Sequence, residues 1–212
     1  MSAFKANIVI ILIGSLVLWF TTDGLQALTS EGARRLEVTK LRPMMPNIAL
    51  ETMSGAYIKL QSENGYITIV EFIYTTCPFI CQVDGDHLAR LQHEIKKKNL
   101  QGKVRIFSIS FDPLKDNIEE LSYYAKRHNA DGMVWTIVRP KIEDLPDLLK
   151  AFGVIVISDE DGGYVHNSAM HIIDQRGNLT SILDSNDVQG TLKTIEQMLQ
   201  GVQMLQVERI RQ

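Results

Sequence analysis

At 212 residues, 45% hydrophobic and 22% charged, the chain has ordinary globular composition and length enough for one domain with a substantial core. Formal net charge is −3, with acids and bases interspersed. No basic stripe interleaves with aromatics, which sets nucleic acid aside as a partner.

The amino-terminal stretch differs from the rest. Lys5 precedes an apolar run from Ile8 to Phe20, thirteen residues interrupted only by Gly14 and Ser15. Even extended to Thr22, it falls short of the roughly 20 residues of a usual spanning helix. Residues 1–22 are expected to form a signal anchor or a signal peptide, and the lack of a clear cleavage site favours an uncleaved anchor. Lys5 would then stay cytoplasmic and the remainder would be exported, to the periplasmic side of the inner membrane in a bacterium. Disulfides persist there. Residues 23–45 read as a polar linker. It ends in Arg42-Pro43-Met44-Met45-Pro46, whose prolines favour extended structure at the domain entrance.

From residue 46 to about 205 the pattern alternates. Ala56–Leu60 reads as a short strand and Glu63-Asn64-Gly65 as a turn. The apolar run Ile67–Tyr74 reads as a buried strand. Val83–Leu100 carries Leu88, Leu91 and Ile95 at helical spacing. Val104–Ser110 is a second core strand, and Ile118–His128 a helix with Asp116 as candidate cap. A third strand, Met133–Val138, and a third helix, Ile142–Phe152, follow. Ala169–Ile173 and Leu179–Leu183 flank the turn Asp174-Gln175-Arg176-Gly177 as a hairpin. Val188–Leu205 closes as an amphipathic helix. Strands alternating with helices, then a hairpin and a last helix, indicate an α/β domain of thioredoxin-like outline.

The only two cysteines, Cys77 and Cys81, lie four residues apart directly after the buried strand. At the start of a helix this spacing puts both thiols on one face. Pro78 suits a first helical position. A helix N-terminus lowers thiol pKa, and two converging thiolates suit Cu(I). The same spacing permits a disulfide or electron transfer. A purely stabilising disulfide is the bland alternative, but its loop is too short to remove much unfolded-state entropy.

An imidazole could complete a metal site. His87 and His93 lie on the helix after the thiols and are read as solvent-facing. His128, at a helix end, is read as a charged ring complementing the dipole. His171, inside a strand, is read as packing or surface. His166 lies in a loop before a strand, and in a thioredoxin-like sheet that loop faces the thiols. It is a candidate ligand or else a surface histidine. No proline follows Pro146, so the cis-proline of thioredoxin-type oxidoreductases is missing from that loop, and the thiol spacing is not Cys-x-x-Cys.

The run Phe72-Ile73-Tyr74-Thr75-Thr76-Cys77-Pro78-Phe79-Ile80-Cys81 resembles the signature of the Sco/SenC family. Ser108-Ile109-Ser110-Phe111-Asp112-Pro113, with Asp116 and Leu121-Ser122-Tyr123-Tyr124-Ala125, is similar to a further segment of it. So are Trp135 and His166-Asn167-Ser168, the histidine eleven residues before Gly177. The resemblance covers about Pro46 to Leu199. It implies a membrane-tethered, thioredoxin-like copper protein that helps to build the dinuclear copper centre of cytochrome c oxidase, as metallochaperone or thiol reductant. The copper-site subunit of that oxidase is the implied partner, with other copper carriers possible. Carried over, Cys77, Cys81 and His166 are the copper ligands, and Cys77 with Cys81 forms the redox disulfide. Gln82 stands where the family commonly has proline, and Val165 where it commonly has aspartate. The residues alone leave two other functions open: an exported thiol-disulfide oxidoreductase or redox sensor without obligatory copper, and a binding module with a structural disulfide.

Overall fold

A computed structural model describes residues 3–24, 28–63, 65–77, 80–159 and 163–210. The chain divides into two units, Met1–Arg42 and Pro43–Gln212.

The first unit holds two helices, α1 (Ala3–Thr21) and α2 (Ser30–Leu41). Along α1 the apolar side chains are exposed, Phe20 by 74%. Among the described residues, no helix is long and apolar enough to cross a membrane. Helix α2 lies inside the stretch read from sequence as a polar linker. Its causes are local: Thr29 caps it by accepting from the Gly32 N–H, and Glu31 pairs with Arg34 and Arg35, each at 2.9 Å.

The second unit is an α/β domain. Its strands are β1 (Ala49–Thr52), β2 (Tyr57–Lys59), β3 (Ile67–Ile73), β4 (Val104–Ser110), β5 (Trp135–Pro140), β6 (Val156–Ser158), β7 (Tyr164–His166), β8 (Met170–Ile173) and β9 (Leu179–Leu183). Its helices are α3 (Ile80–Lys97), α4 (Ile118–His128), α5 (Leu145–Phe152) and α6 (Val188–Ile210). Seven strands form one mixed sheet, in the order β2-β1-β5-β4-β3-β8-β9. Strands β3, β4 and β5 are parallel neighbours, with Ile67 opposite Val104 and Ile106 opposite Trp135. The other pairings of this sheet are antiparallel.

All seven residues of β3 are buried, as expected of a strand covered on both faces. Its apolar run therefore shows no alternation. Trp135, Tyr124 and Phe152 are the largest fully buried side chains around it. Helix α3 packs against α6, α4 and β4. Between β8 and β9, Asp174 accepts from the N–H groups of Arg176 and Asn178, both at 2.9 Å, and Gly177 takes a φ of 87°. A positive φ there calls for glycine.

Several boundaries differ from the sequence reading. Strand β1 was not anticipated; only its interior Leu50 carries the pattern. The expected turn at 63–65 includes Asn64, which lies outside the described residues. The third helix begins as a short 3-10 turn, Ile142–Asp144, before α5. Asp116 does not cap α4. Asn117 does, accepting from the Glu119 and Glu120 N–H groups, while Asp116 is fully buried. His166 is not in an open loop but ends the short strand β7, which pairs with β6 as a separate hairpin.

Candidate metal centre

Strand β3 delivers the chain to Tyr74, just past its C-terminal end, and α3 begins six residues later at Ile80. The connection is pinned from below. Asp116 accepts from the Thr75 hydroxyl at 2.6 Å, the Thr75 N–H at 3.0 Å and the Ser110 hydroxyl at 2.5 Å. Burial raises the Asp116 pKa, and these three donors work against that rise.

Cys77 and Cys81 are both thiols, 7% and 1% exposed. The Cys81 N–H donates to Cys77 Sγ at 3.4 Å, so the first sulfur caps the helix that carries the second. Burial pushes the Cys81 thiol well above its ordinary value, and the neighbouring Cys77 and Glu71 push the same way. This corrects the expectation that the helix terminus alone would favour thiolate: desolvation outweighs it at Cys81. Tyr74 is pushed up to about 12, by burial first and then by its hydrogen bond to Cys77.

His166 reaches the same region through its neighbours. Two residues before it, the Tyr164 N–H donates to the Tyr74 hydroxyl at 3.4 Å. Two residues after it, the Ser168 hydroxyl donates to Asp84 Oδ2 at 2.6 Å. Tyr74 lies three residues before the first cysteine and Asp84 three after the second. The segment carrying His166 is thus tied to both elements that carry the thiols. Asn167 locks it further, accepting from the Ile155 N–H at 2.7 Å and donating to the Gly153 carbonyl at 3.1 Å.

The His166 ring packs on Phe111 with centroids 4.9 Å apart, and its buried Nδ1 has no hydrogen-bond partner. Burial lowers its pKa, opposed by the charge of Asp84 and by Asn167. A neutral imidazole with an unpartnered buried nitrogen has the chemistry of a metal ligand. Among the described residues, however, no three His, Cys, Asp or Glu side chains stand gathered as a ready metal cluster. The donor set fits a soft ion in type, two thiols and an imidazole, without being preassembled around it. Val165, where a carboxylate was missed, points outward at 64% exposure, and Asp84 is the acid that acts on His166.

The other histidines divide. His93 is exposed, as expected. His171 is buried, with Nδ1 3.3 Å from the Val70 carbonyl and its ring edge-on to Phe72 and Phe152, which is packing. His87 is not solvent-facing: its side chain is 14% exposed and lies 3.7 Å from Asp84. His128 does not stand at an open helix end. It is buried between α3 and Tyr124, and burial lowers its pKa.

Sequence reasoning missed Asp84 and Glu71, and read Asp116 as a helix cap where it instead holds Thr75 and Ser110. Glu71 is fully buried in β3 and neither carboxylate oxygen has a hydrogen-bond partner. One signal was available for it: Glu71 is the single charge in the run Ile67–Tyr74.

Comparison with known proteins bears on the family and the fold. The SCO1/SenC family model matches residues 43–200. A SCO1 protein homolog of Bacillus subtilis is 28% identical over 146 residues, which is 66% of this chain and 72% of that one. Two further curated relatives are spanned over 61% and 62% of their lengths. Among solved structures, a SCO1/SenC family lipoprotein from Bacillus anthracis superposes with a TM-score of 0.69 at 21% identity. That match covers 75% of this chain and 96% of the lipoprotein. Arabidopsis thaliana ScoI with copper bound gives 0.63 at 22% identity, over 73% and 99%. Likeness at this identity establishes a shared fold.

Proposed function

We propose, for a chain that belongs to the SCO1/SenC family, that it is a copper carrier serving assembly of a cytochrome c oxidase copper site. The observation that carries this reading is the pair of ties, Tyr164 to Tyr74 and Ser168 to Asp84, that fasten the segment of His166, whose buried Nδ1 has no partner, to the segments on either side of the two thiols. Copper is the cargo, as it is the bound ion in the Arabidopsis structure. Cys77, Cys81 and His166 would hold it. Bound copper supplies a soft acid that replaces the thiol protons.

The residues set the conditions for loading. Both thiols must lose protons, and burial of Cys81 opposes that loss, so uptake releases protons and strengthens as pH rises. A Cys77–Cys81 disulfide would be the inactive store, needing two electrons and two protons before it can load. The apolar helix α1, with its exposed Ile8–Phe20 side chains, is proposed to hold the domain at a membrane on the exported side.

A second reading, a thiol-disulfide reductant acting on the same oxidase site, draws on two free thiols four residues apart at a helix start, a spacing that permits a disulfide. The test is titration of the reduced protein with Cu(I) and Cu(II). About one copper per chain is expected, lost in Cys77→Ser and Cys81→Ser, with His166→Ala mainly impairing Cu(II). Unchanged stoichiometry in Cys77→Ser refutes the carrier reading. Turnover of disulfide substrates without metal would establish the second.

A further inference from the structure

Gln82, which follows the second cysteine, is half-buried and uses both ends of its amide. Its Nε2 donates to the Cys77 carbonyl at 2.9 Å. Its Oε1 lies 3.1 Å from Nε2 of His128, a residue 46 positions away at the end of α4. The first bond settles the second. An amide whose N–H₂ faces a carbonyl presents its oxygen to the ring, so His128 Nε2 must carry a proton and donate.

His128 is held firmly in that pose. Its side chain is 3% exposed. The ring packs on Tyr124, tilted by 47°, with centroids 4.6 Å apart. Tyr124 itself donates to the Cys81 carbonyl at 2.8 Å. On the far side Nδ1 lies 3.3 Å from Asp86, whose side chain is 77% exposed and can turn to water. Helix α3 lets the ring this close only because residue 85 is glycine. A Cβ there would sit 2.7 Å from ring Cε1 and Nδ1. Gly85 and His128 thus form a close contact between the thiol-bearing helix and α4.

We infer that His128 and Gln82 are positioning residues that brace the Cys77 peptide from α4 and keep its thiol seated against the start of α3. The carbonyl they hold belongs to the residue whose Sγ caps Cys81, so fixing that peptide plane fixes where the first sulfur points. The brace acts on the protein before any metal arrives. It stands whether or not the thiols take copper.

The test uses the full-length, reduced, metal-free protein. Alkylation of Cys77 and of Cys81 by iodoacetamide is timed separately, by mass spectrometry of the two thiols. At nearly constant size, Gln82→Met removes the bonds to the Cys77 carbonyl and to His128, and His128→Phe removes the contacts to Gln82 and Asp86. Each should speed Cys77 alkylation about three- to tenfold, the equivalent of one net hydrogen bond, because the buried thiol must emerge to react. Cys81 alkylation should keep its rate, and the double variant should be no faster than the single ones, since either change breaks the same chain. Equal acceleration of both thiols, which is simple destabilisation, overturns the inference. So do unchanged Cys77 rates, or effects that add. If His128→Phe fails to fold, Gln82→Met with Gln82→Glu decides it. A carboxylate in place of the amide has no N–H for the Cys77 carbonyl, and an unchanged Cys77 rate in both variants overturns the brace.

Discussion

Glu71 offers the sharpest test of how the ground beneath the thiols is built. Its carboxyl is fully buried in β3 with neither oxygen hydrogen-bonded. Burial pushes its pKa well above the usual carboxylate range, and the charge of Asp84 adds to the push. In the unfolded chain a glutamate ionises near ~4.3. Above that pH the folded protein still holds a proton that the unfolded chain has released. Stability is therefore fully present below ~4.3 and falls as pH rises, until the folded carboxyl ionises too. While only the unfolded form is ionised, one proton separates the states, a slope of about 1.4 kcal/mol per pH unit. Glu71→Gln keeps the shape and removes the titration. It should be near neutral at pH 4 and progressively stabilising toward pH 7.5. Glu71→Met also removes the unpartnered oxygens, and should gain about 1–3 kcal/mol already at pH 4. That is about 2–4 °C in Tm for each kcal/mol in a domain of this size. Urea and thermal denaturation of the reduced protein with chelator, from pH 4 to 8, measures both. A Glu71→Gln difference that is constant with pH, or that turns destabilising as pH rises, refutes the reasoning.

Three other outcomes follow from the same geometry. Ser168→Ala removes the 2.6 Å bond to Asp84 and should weaken copper about tenfold while leaving stoichiometry at one, read by competition titration. Asp116→Asn should cost about 1.5–3 kcal/mol, because one carboxylate now satisfies Thr75 and Ser110 together; the denaturant midpoint reports it. Burial opposes ionisation of Asp131, yet Lys96 and the N–H groups of Trp135, Met133 and Val134 hold it below the ordinary range. Its contribution is present above ~3.9 and lost as pH falls through the depressed folded value. Asp131→Ala should therefore cost about 1–2 kcal/mol at pH 7, and the difference should shrink on acidification.

How much of this could be read along the chain depends on the range of the interaction involved. The apolar run 67–73 announced β3 because a strand buried on both faces needs uninterrupted apolar residues, and 118–128 announced α4 through helical spacing. The short pieces were harder. Strand β1 and the β6–β7 hairpin have too few residues to show a period, and they exist because neighbours supply their pairing. Helix α2 rests on Thr29 and the Glu31 pairs, local signals that a polar stretch conceals.

The site divides in the same way. Cys77 and Cys81 stand out as candidates because four residues at a helix start is a local spacing, and His166 because of its place before a strand, to which the family resemblance adds. By itself the sequence determined the element order, the thiol pair and the type of ion two thiols and an imidazole suit. The tertiary structure alone decided which acids lie beneath them, which histidines are buried, and that Gln82 reaches His128. Those contacts join positions 40 to 90 residues apart, and only the packed sheet and helices bring them within hydrogen-bond range. The same packing makes Cys81 a reluctant thiolate, since burial is a property of the fold and not of the motif.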